Sequence, residues 1–412
     1  MRFKSLILAG AGALATLGGA AAVFAQGKPA GGQTVYWMSA DTSSGMAGMA
    51  HAAGDPSAVM AMMRGGQGSY SHNLALQLGS PKKPAGEASA EHLPPQGLRA
   101  GMSLPLVTPR GAAPAPTSWN GQYEKPKGRM LIYWGCGDKA RPGQPTVVDF
   151  ASLAAGKVPP ALASAIRAMM PPAPGRHATY GEWPNERART RVPAGASLVG
   201  AHKVRGNYSP EISFALAQGQ DFLAPVALTS QAPAASGAVP LAWRPVAGSK
   251  AWLAGVMGAA QNGDLILWTS SEKPMGAMGM GQDYIAEGDV AGLIQQKVLM
   301  PAAADRCTVP AEVGKATRDG GMLTLTAFGG ETNLSQPRPA GAAPAWKPEW
   351  AVKLRTKSTY SGMLGMDMSD MMGDDAGDEE EQEEASYREE RAPAAKKKRG
   401  RLGGALGAIL GN

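Results

Sequence analysis

The chain is poor in the residues that most catalytic and metal sites require. Its 412 residues include 2 cysteines and 5 histidines, with aromatics at 6% and charged residues at 18%. Two cysteines without a paired CxxC cannot build a thiolate zinc centre by themselves. The histidines are His51, His72, His92, His177 and His202. They form no H-x-H, H-E-x-x-H or H-x-x-x-H pattern, which argues against a zinc hydrolase, and each reads as a surface or strand histidine. There is no G-x-S-x-G, no S-x-x-K with suitable partners and no phosphate-binding P-loop. Trp134-Gly135-Cys136-Gly137-Asp138 admits a Cys nucleophile in a tight turn, but a half-cystine at a strand end accounts for it better.

What is present begins with an address. Arg2 and Lys4 form a positive start, Leu6 to Val23 an apolar small-residue stretch, and Val23-Phe24-Ala25 a small-x-small site before Gln26. This pattern predicts a secretory signal peptide cleaved after Ala25, and a periplasmic or secreted mature protein. An uncleaved N-terminal anchor is the competing reading, and no cysteine at the cleavage site points to a lipoprotein. In an oxidising compartment an even count of cysteines favours a Cys136–Cys307 disulfide over two separate buried thiols. Such a bridge closes a loop of about 170 residues and contributes about 4 to 5 kcal/mol on the chain-entropy model.

The 55 glycines and 33 prolines favour many turns and short strands over long helices. The expected fold class is mainly β: two β-sandwich-like domains, short helices and a disordered charged tail. Strands are predicted at Thr34–Met38, Ser69–Leu78, Gly128–Cys136 and Thr146–Phe150, and later near Leu198–His202, Glu211–Leu216, Val226–Ser230, Met322–Phe328 and Trp350–Arg355. Helices are expected at Pro159–Met170 and Asp289–Leu299, with a short helical turn at Ser57–Met63. Val239 to Glu272 reads as three strands and two turns. Leu241 and Trp243 alternate with Ala242 and Arg244, and Trp252, Ala254 and Val256 share one face. Gln261-Asn262-Gly263-Asp264 is a hairpin signal, because Asn and Gly both tolerate positive φ. The pattern L-x-W-x-P-V-x-G followed by Trp252 resembles the central strands of fibronectin type III-like or Ig-like sandwiches. That resemblance implies a fold and no chemistry.

The expected organisation is a signal peptide at 1–25, an N-terminal β domain at 34–152, and a helix with an Arg/Pro-rich connection at 153–196. A fibronectin III-like domain follows at 197–357 and a tail at 358–412. The tail places an acidic block beside a basic one, and blocks of like charge do not bury surface. The formal charge of +7 therefore hides two opposed segments and is no argument for nucleic-acid binding. Arg176, Arg187, Arg189 and Arg191, with Tyr180 and Trp183, suit an acidic polymer or lipid head groups, although a solvated linker explains them more simply.

Methionine is the compositional outlier, at 22 residues. Thioethers select Cu(I) and need no deprotonation, so clustered methionines suggest a metal role. The candidates are Met46 and Met49 with His51, then Met275, Met278 and Met280, then Met363, Met366, Met368, Met371 and Met372. Met60, Met62 and Met63 form a further cluster. These segments resemble the Met motifs of exported copper-handling proteins, while flexible packing filler is the plainer explanation. At the C-terminus Lys396, Lys397, Lys398, Arg399 and Arg401 precede Leu402, Leu406 and Ile409 on one apolar face. That segment suits peripheral membrane contact or self-association, and is too short to span a bilayer.

The sequence therefore points to an exported, non-catalytic binding or envelope-structural protein with no cofactor, whose partner is an unidentified protein or envelope component. Periplasmic Cu(I) handling is the alternative, and a hydrolase is a second alternative without a motif behind it.

Overall fold

In the computed structural model, residues 32–48, 70–109, 128–154, 157, 166–167, 169–188, 190–275, 284–318 and 320–366 are described. Strand occupies 43% of the chain and helix 9%, so the protein is mainly β. The chain divides into two compact units, Met1–Gly365 and Met366–Asn412.

The early strands are β1 (Thr34–Gly45), β2 (Tyr70–Ser80), β3 (Ala90–Leu93), β4 (Leu104–Leu106), β5 (Arg129–Trp134), β6 (Thr146–Asp149) and β7 (Thr179–Trp183). Next come β8 (Gly200–Gly206), β9 (Ile212–Leu216), β10 (Leu228–Ser230), β11 (Val239–Trp243), β12 (Ala251–Ala259) and β13 (Leu265–Thr269). Last are β14 (Met300–Pro301), β15 (Arg306–Val309), β16 (Met322–Ser335) and β17 (Trp350–Met363). The helices are α1 (Phe150–Ala154), α2 (Glu287–Gln295) and α3 (Ala311–Ala316).

One ten-stranded sheet runs β6-β5-β13-β12-β16-β17-β1-β2-β7, with β14 paired to β12. Segments 34–152 and 197–357, expected as separate domains, both contribute strands to it. The central pair, β1 and β17, is parallel over its whole length, from Thr34↔Trp350 to Gly45↔Ser361. Two smaller sheets, β10-β11-β15 and β4-β3-β8-β9, stand apart from it.

Strand alternation explains how the layers stack. Tyr36, Met38, Leu74, Leu76, Leu78, Val352 and Leu354 from one face of the long sheet pack with Leu104, Leu106, Val204 and Ile212 of the four-stranded sheet. Farther along that face, Trp252, Ala254, Val256, Ile266, Trp268, Leu323 and Leu325 pack with Leu241, Trp243 and Val309 of the three-stranded sheet. Both contacts are sandwich-like, and they share one long sheet. Residues 239–269 thus cross from the small sheet to the large one, and the Trp243 and Trp252 rings meet between layers at 5.4 Å. Cys136, just past β5, is disulfide-bonded to Cys307 on β15, across 171 residues. The bridge ties the long sheet to the three-stranded one.

The opposite face of the long sheet changes character along its length. Over β12 it is apolar, and Val290 and Leu293 of α2 pack there with Ala251, Leu253 and Phe328. Over β17, β1 and β2 it is polar, as the next section shows.

Three local expectations meet different outcomes. The hairpin between β12 and β13 forms, but only Gly263 has positive φ, at +84°. Asn262 instead accepts the Asp264 N–H on its side-chain oxygen at 3.1 Å, so the turn closes through a side chain rather than a second left-handed residue. The 153–196 connection contains β7, whose Thr179–Trp183 pairs with β2, burying Tyr180 and Trp183. Two aromatics with something to bury outweigh the surrounding arginines and prolines. The helix expected at Asp289–Leu299 starts earlier, at Glu287, and ends at Gln295. The turn expected at Ser57–Met63 and most of the helix expected at Pro159–Met170 lie outside the described residues.

Candidate ligand-binding face

β17 carries Lys353, Arg355 and Lys357 at alternate positions, which sends all three side chains to the same face of the sheet. The register places Trp37, Ser39 and Asp41 of β1 directly beside them. On the other flank, β16 places Asn333 beside Lys353 and Glu331 beside Arg355. β2 continues the rows with Gln77, Ala75 and Asn73. The sequence VKLRTKST shows this alternation; the neighbours come only from the pairing.

Two rings separate the three cations. Lys353 Nζ lies 5.2 Å from the Trp37 ring centroid, and the Arg355 guanidinium lies 5.2 Å from the same ring. The guanidinium is also 4.2 Å from the Tyr284 ring, which Lys357 Nζ approaches at 5.0 Å. The result is a ladder of cation, ring, cation, ring, cation. Each ring face presents its negative quadrupole to a charge, for about 0.5–1 kcal/mol at exposed sites and about 2 kcal/mol when dry. The rings thereby offset part of the repulsion between cations about 6.6 Å apart along a strand.

Arg355 is 4% exposed, unusually buried for an arginine, and its Nε donates to Ser39 Oγ at 2.7 Å. Lys353 also donates to Glu331 Oε2 at 2.7 Å in a largely buried pair. Farther along β1 and β2, Asn73 donates to Ser43 Oγ at 3.1 Å. Gln77 donates to Tyr180 Oη at 3.4 Å, and Tyr180 donates to Glu182 at 2.5 Å. Burial, and then the Glu182 hydrogen bond, pushes the Tyr180 hydroxyl above its ordinary pKa. Arg355 and Tyr284 are buried, Lys353 is held by Glu331, and Met169 Sδ covers the guanidinium at 3.8 Å, so these groups form the inner part of the array. Trp37 and Lys357 are half-buried at its edge, and a ligand that is anionic at one point and ring-shaped at another would meet the array there.

A second polar cluster lies inside the sandwich. Tyr36 Oη is 2.7 Å from His92 Nδ1, His92 Nε2 is 3.1 Å from His202 Nδ1, and His202 Nε2 is 2.6 Å from the Leu198 carbonyl. The carbonyl can only accept, so His202 Nε2 carries the proton. For neutral rings the rest follows: His92 Nε2 donates to His202 and Tyr36 donates to His92. Burial holds His92 well below, and His202 below, the ordinary histidine pKa. Every ring nitrogen is engaged, so this chain of bonds orders the core and leaves no free base. His72 and His177 are also lowered, both chiefly by burial. His72, His92 and His202 are strand histidines, as expected, but all three are buried.

The other candidates have separate outcomes. Cys136 and Cys307 come together as half-cystines, which removes the nucleophile reading of Cys136. Met275 is fully buried beside Leu253 and Ile285, as core filler. Met46 begins a helical turn at the end of β1, Met363 ends β17, and Met366 is 41% exposed. Met49, His51, Met60, Met62, Met63, Met278, Met280, Met368, Met371 and Met372 lie outside the described residues, as do Lys396 to Arg401 and Leu402 to Ile409. Of the Arg-rich group, Arg187 faces Glu87 at 3.6 Å on the surface, and Arg176 donates to the Pro171 carbonyl. Arg189 lies outside the described residues.

Among the described residues no group of three or more His, Cys, Asp or Glu could hold a metal ion. No described helix is long and apolar enough to cross a membrane. No protein-family model matches the chain, and comparison with curated proteins and with solved structures finds no match.

Proposed function

We propose that this is an exported, non-catalytic binding protein, and that the ladder on β17 and β1 is its contact surface for an acidic ligand of the cell envelope. An acidic saccharide polymer fits best, since it supplies carboxylates for half-buried Lys357 and sugar rings for half-buried Trp37, with Arg355 and Lys353 holding both in place from within. The interleaving of three cations with Trp37 and Tyr284 on one sheet face carries this reading. The disulfide supports a location outside the cytoplasm, and the Val23-Phe24-Ala25 pattern of the sequence supports cleavage after Ala25. The buried Trp243–Trp252 contact between layers supports the likeness to fibronectin type III sandwiches.

The test is calorimetric titration of the chain beginning at Gln26 with polygalacturonate and, beside it, with a neutral glucan. Binding to the acidic polymer alone, weakened by salt and by Lys357→Gln, is the expected result. Equal uptake of both polymers, or of neither, removes the proposal. The mass of the mature protein from an envelope fraction decides the address: loss of residues 1–25 is expected, and an intact N-terminus contradicts it.

A further inference from the structure

The register of the long sheet aligns three methionines that are far apart in sequence. Met257 of β12 is directly opposite Met322 of β16, and Met322 is directly opposite Met363 of β17. Cross-strand partners share a face, so the three side chains form one row over three adjacent strands. It is the face that carries the cation ladder, at the far end of β17, and the row makes no use of the ladder's side chains.

The surroundings suit a ligand better than packing. Met257 is 44% exposed, while Met322 and Met363 are half-buried. On one flank the row meets Leu267, fully buried on β13, which closes that side. On the other flank β1 ends at Gly45, opposite Ser361, and its chain turns at Met46. The neighbouring row is Gly255, Thr324 and Ser361, a glycine and two hydroxyls that set no charge beside the sulfurs.

We propose that Met257, Met322 and Met363 form a three-thioether site for a soft monovalent cation, Cu(I) or Ag(I). Directly opposed Cβ atoms lie about 4.5–5.5 Å apart. Each sulfur is two bonds beyond its Cβ on a flexible side chain, so three sulfurs reach one ion by rotamer change over a fixed backbone. Thioether sulfur is soft and carries no competing proton, so binding is selective for soft ions and flat with pH. The site differs from clustered-methionine readings of the sequence, since Met257 and Met322 belong to no cluster. It stands or falls independently of the acidic-ligand face.

The experiment uses the full mature chain, disulfide intact, labelled with 13C at the methionine methyl groups and titrated with Ag(I). Single Met→Leu variants at 257, 322 and 363 assign the three signals, and a leucine swap of this kind conserves volume. The expected result is that these three signals move together and saturate at one equivalent, at pH 5 as at pH 7. Movement at different ratios, or none until the remaining methionines have saturated, overturns the site. A Cu(I) competition titration of Met257→Leu/Met322→Leu/Met363→Leu gives the second reading. One site weakened by about a hundredfold is expected, and an unchanged titration overturns the proposal. The titration of the unmutated chain decides the matter if the triple variant misfolds.

Discussion

Acid should unfold this protein through its histidines before its carboxylates take part. His72 sits on β2 with its ring stacked on Phe222 at 4.0 Å, and burial, against an opposing pull from Asp221, lowers its pKa from 6.5 to about 4. The unfolded chain takes up that proton near pH 6.5, while the folded ring refuses it until about pH 4. Below pH 6.5 the unfolded state thus holds more protons, and stability falls as the pH falls. At about 1.4 kcal/mol per unit, His72 alone removes about 3 kcal/mol between those limits. His92, His202 and His177 are shifted the same way, so their losses add in the same direction. Urea unfolding of the oxidised mature chain at steps from about pH 7 to about pH 5 measures the slope. His72→Phe keeps the stack on Phe222 and removes one titrating ring, and its mean slope over this window should be shallower by about 1 kcal/mol per pH unit. A midpoint constant across this window, or a variant with the parent slope, refutes the reasoning.

Other expected outcomes are simpler to read. Cys136→Ser/Cys307→Ser opens a loop spanning 171 residues and should destabilise by about 5 kcal/mol on the chain-entropy model, seen as a large drop in the midpoint of thermal unfolding. Tyr36→Phe removes the donor to His92 Nδ1 in a dry site and should cost about 1–3 kcal/mol by urea titration. Leu76→Ala, fully buried between the long and four-stranded sheets, should cost about 2–5 kcal/mol in the same assay.

The local chemistry of strands was legible in the sequence, and their partners were not. Ser69–Leu78 shows alternation, Thr34–Met38 and Gly128–Cys136 show β-branched and aromatic content, and each overlaps an observed strand. Nothing in a period of two says that β1 will pair in parallel with β17, more than three hundred residues later. That pairing merges strands of both expected domains into one sheet. The same limit hid both functional candidates. Lys353, Arg355 and Lys357 alternate visibly, but Tyr284 reaches them through tertiary folding. Met257 and Met322 stand alone in sequence and become neighbours of Met363 only through register. β7 was missed for a different reason: Arg and Pro density outweighed a five-residue Thr-Tyr-Gly-Glu-Trp run whose two aromatics are buried.

The parallel pair at the middle of the long sheet also sets a timetable. β17 is the last described strand to leave the ribosome, and it sits between β1, the first, and β16. Until it arrives, β1 and β2 cannot join β16 and β12, and the early part of the sheet lacks its inner neighbour. Long-range pairing of this kind is slow to form. Were the chain exported as proposed, such a delay would keep its long sheet open until β17 has been made. Removing β17 should open two further sheet edges, on β16 and β1, and leave a product prone to aggregate rather than to fold as a smaller domain.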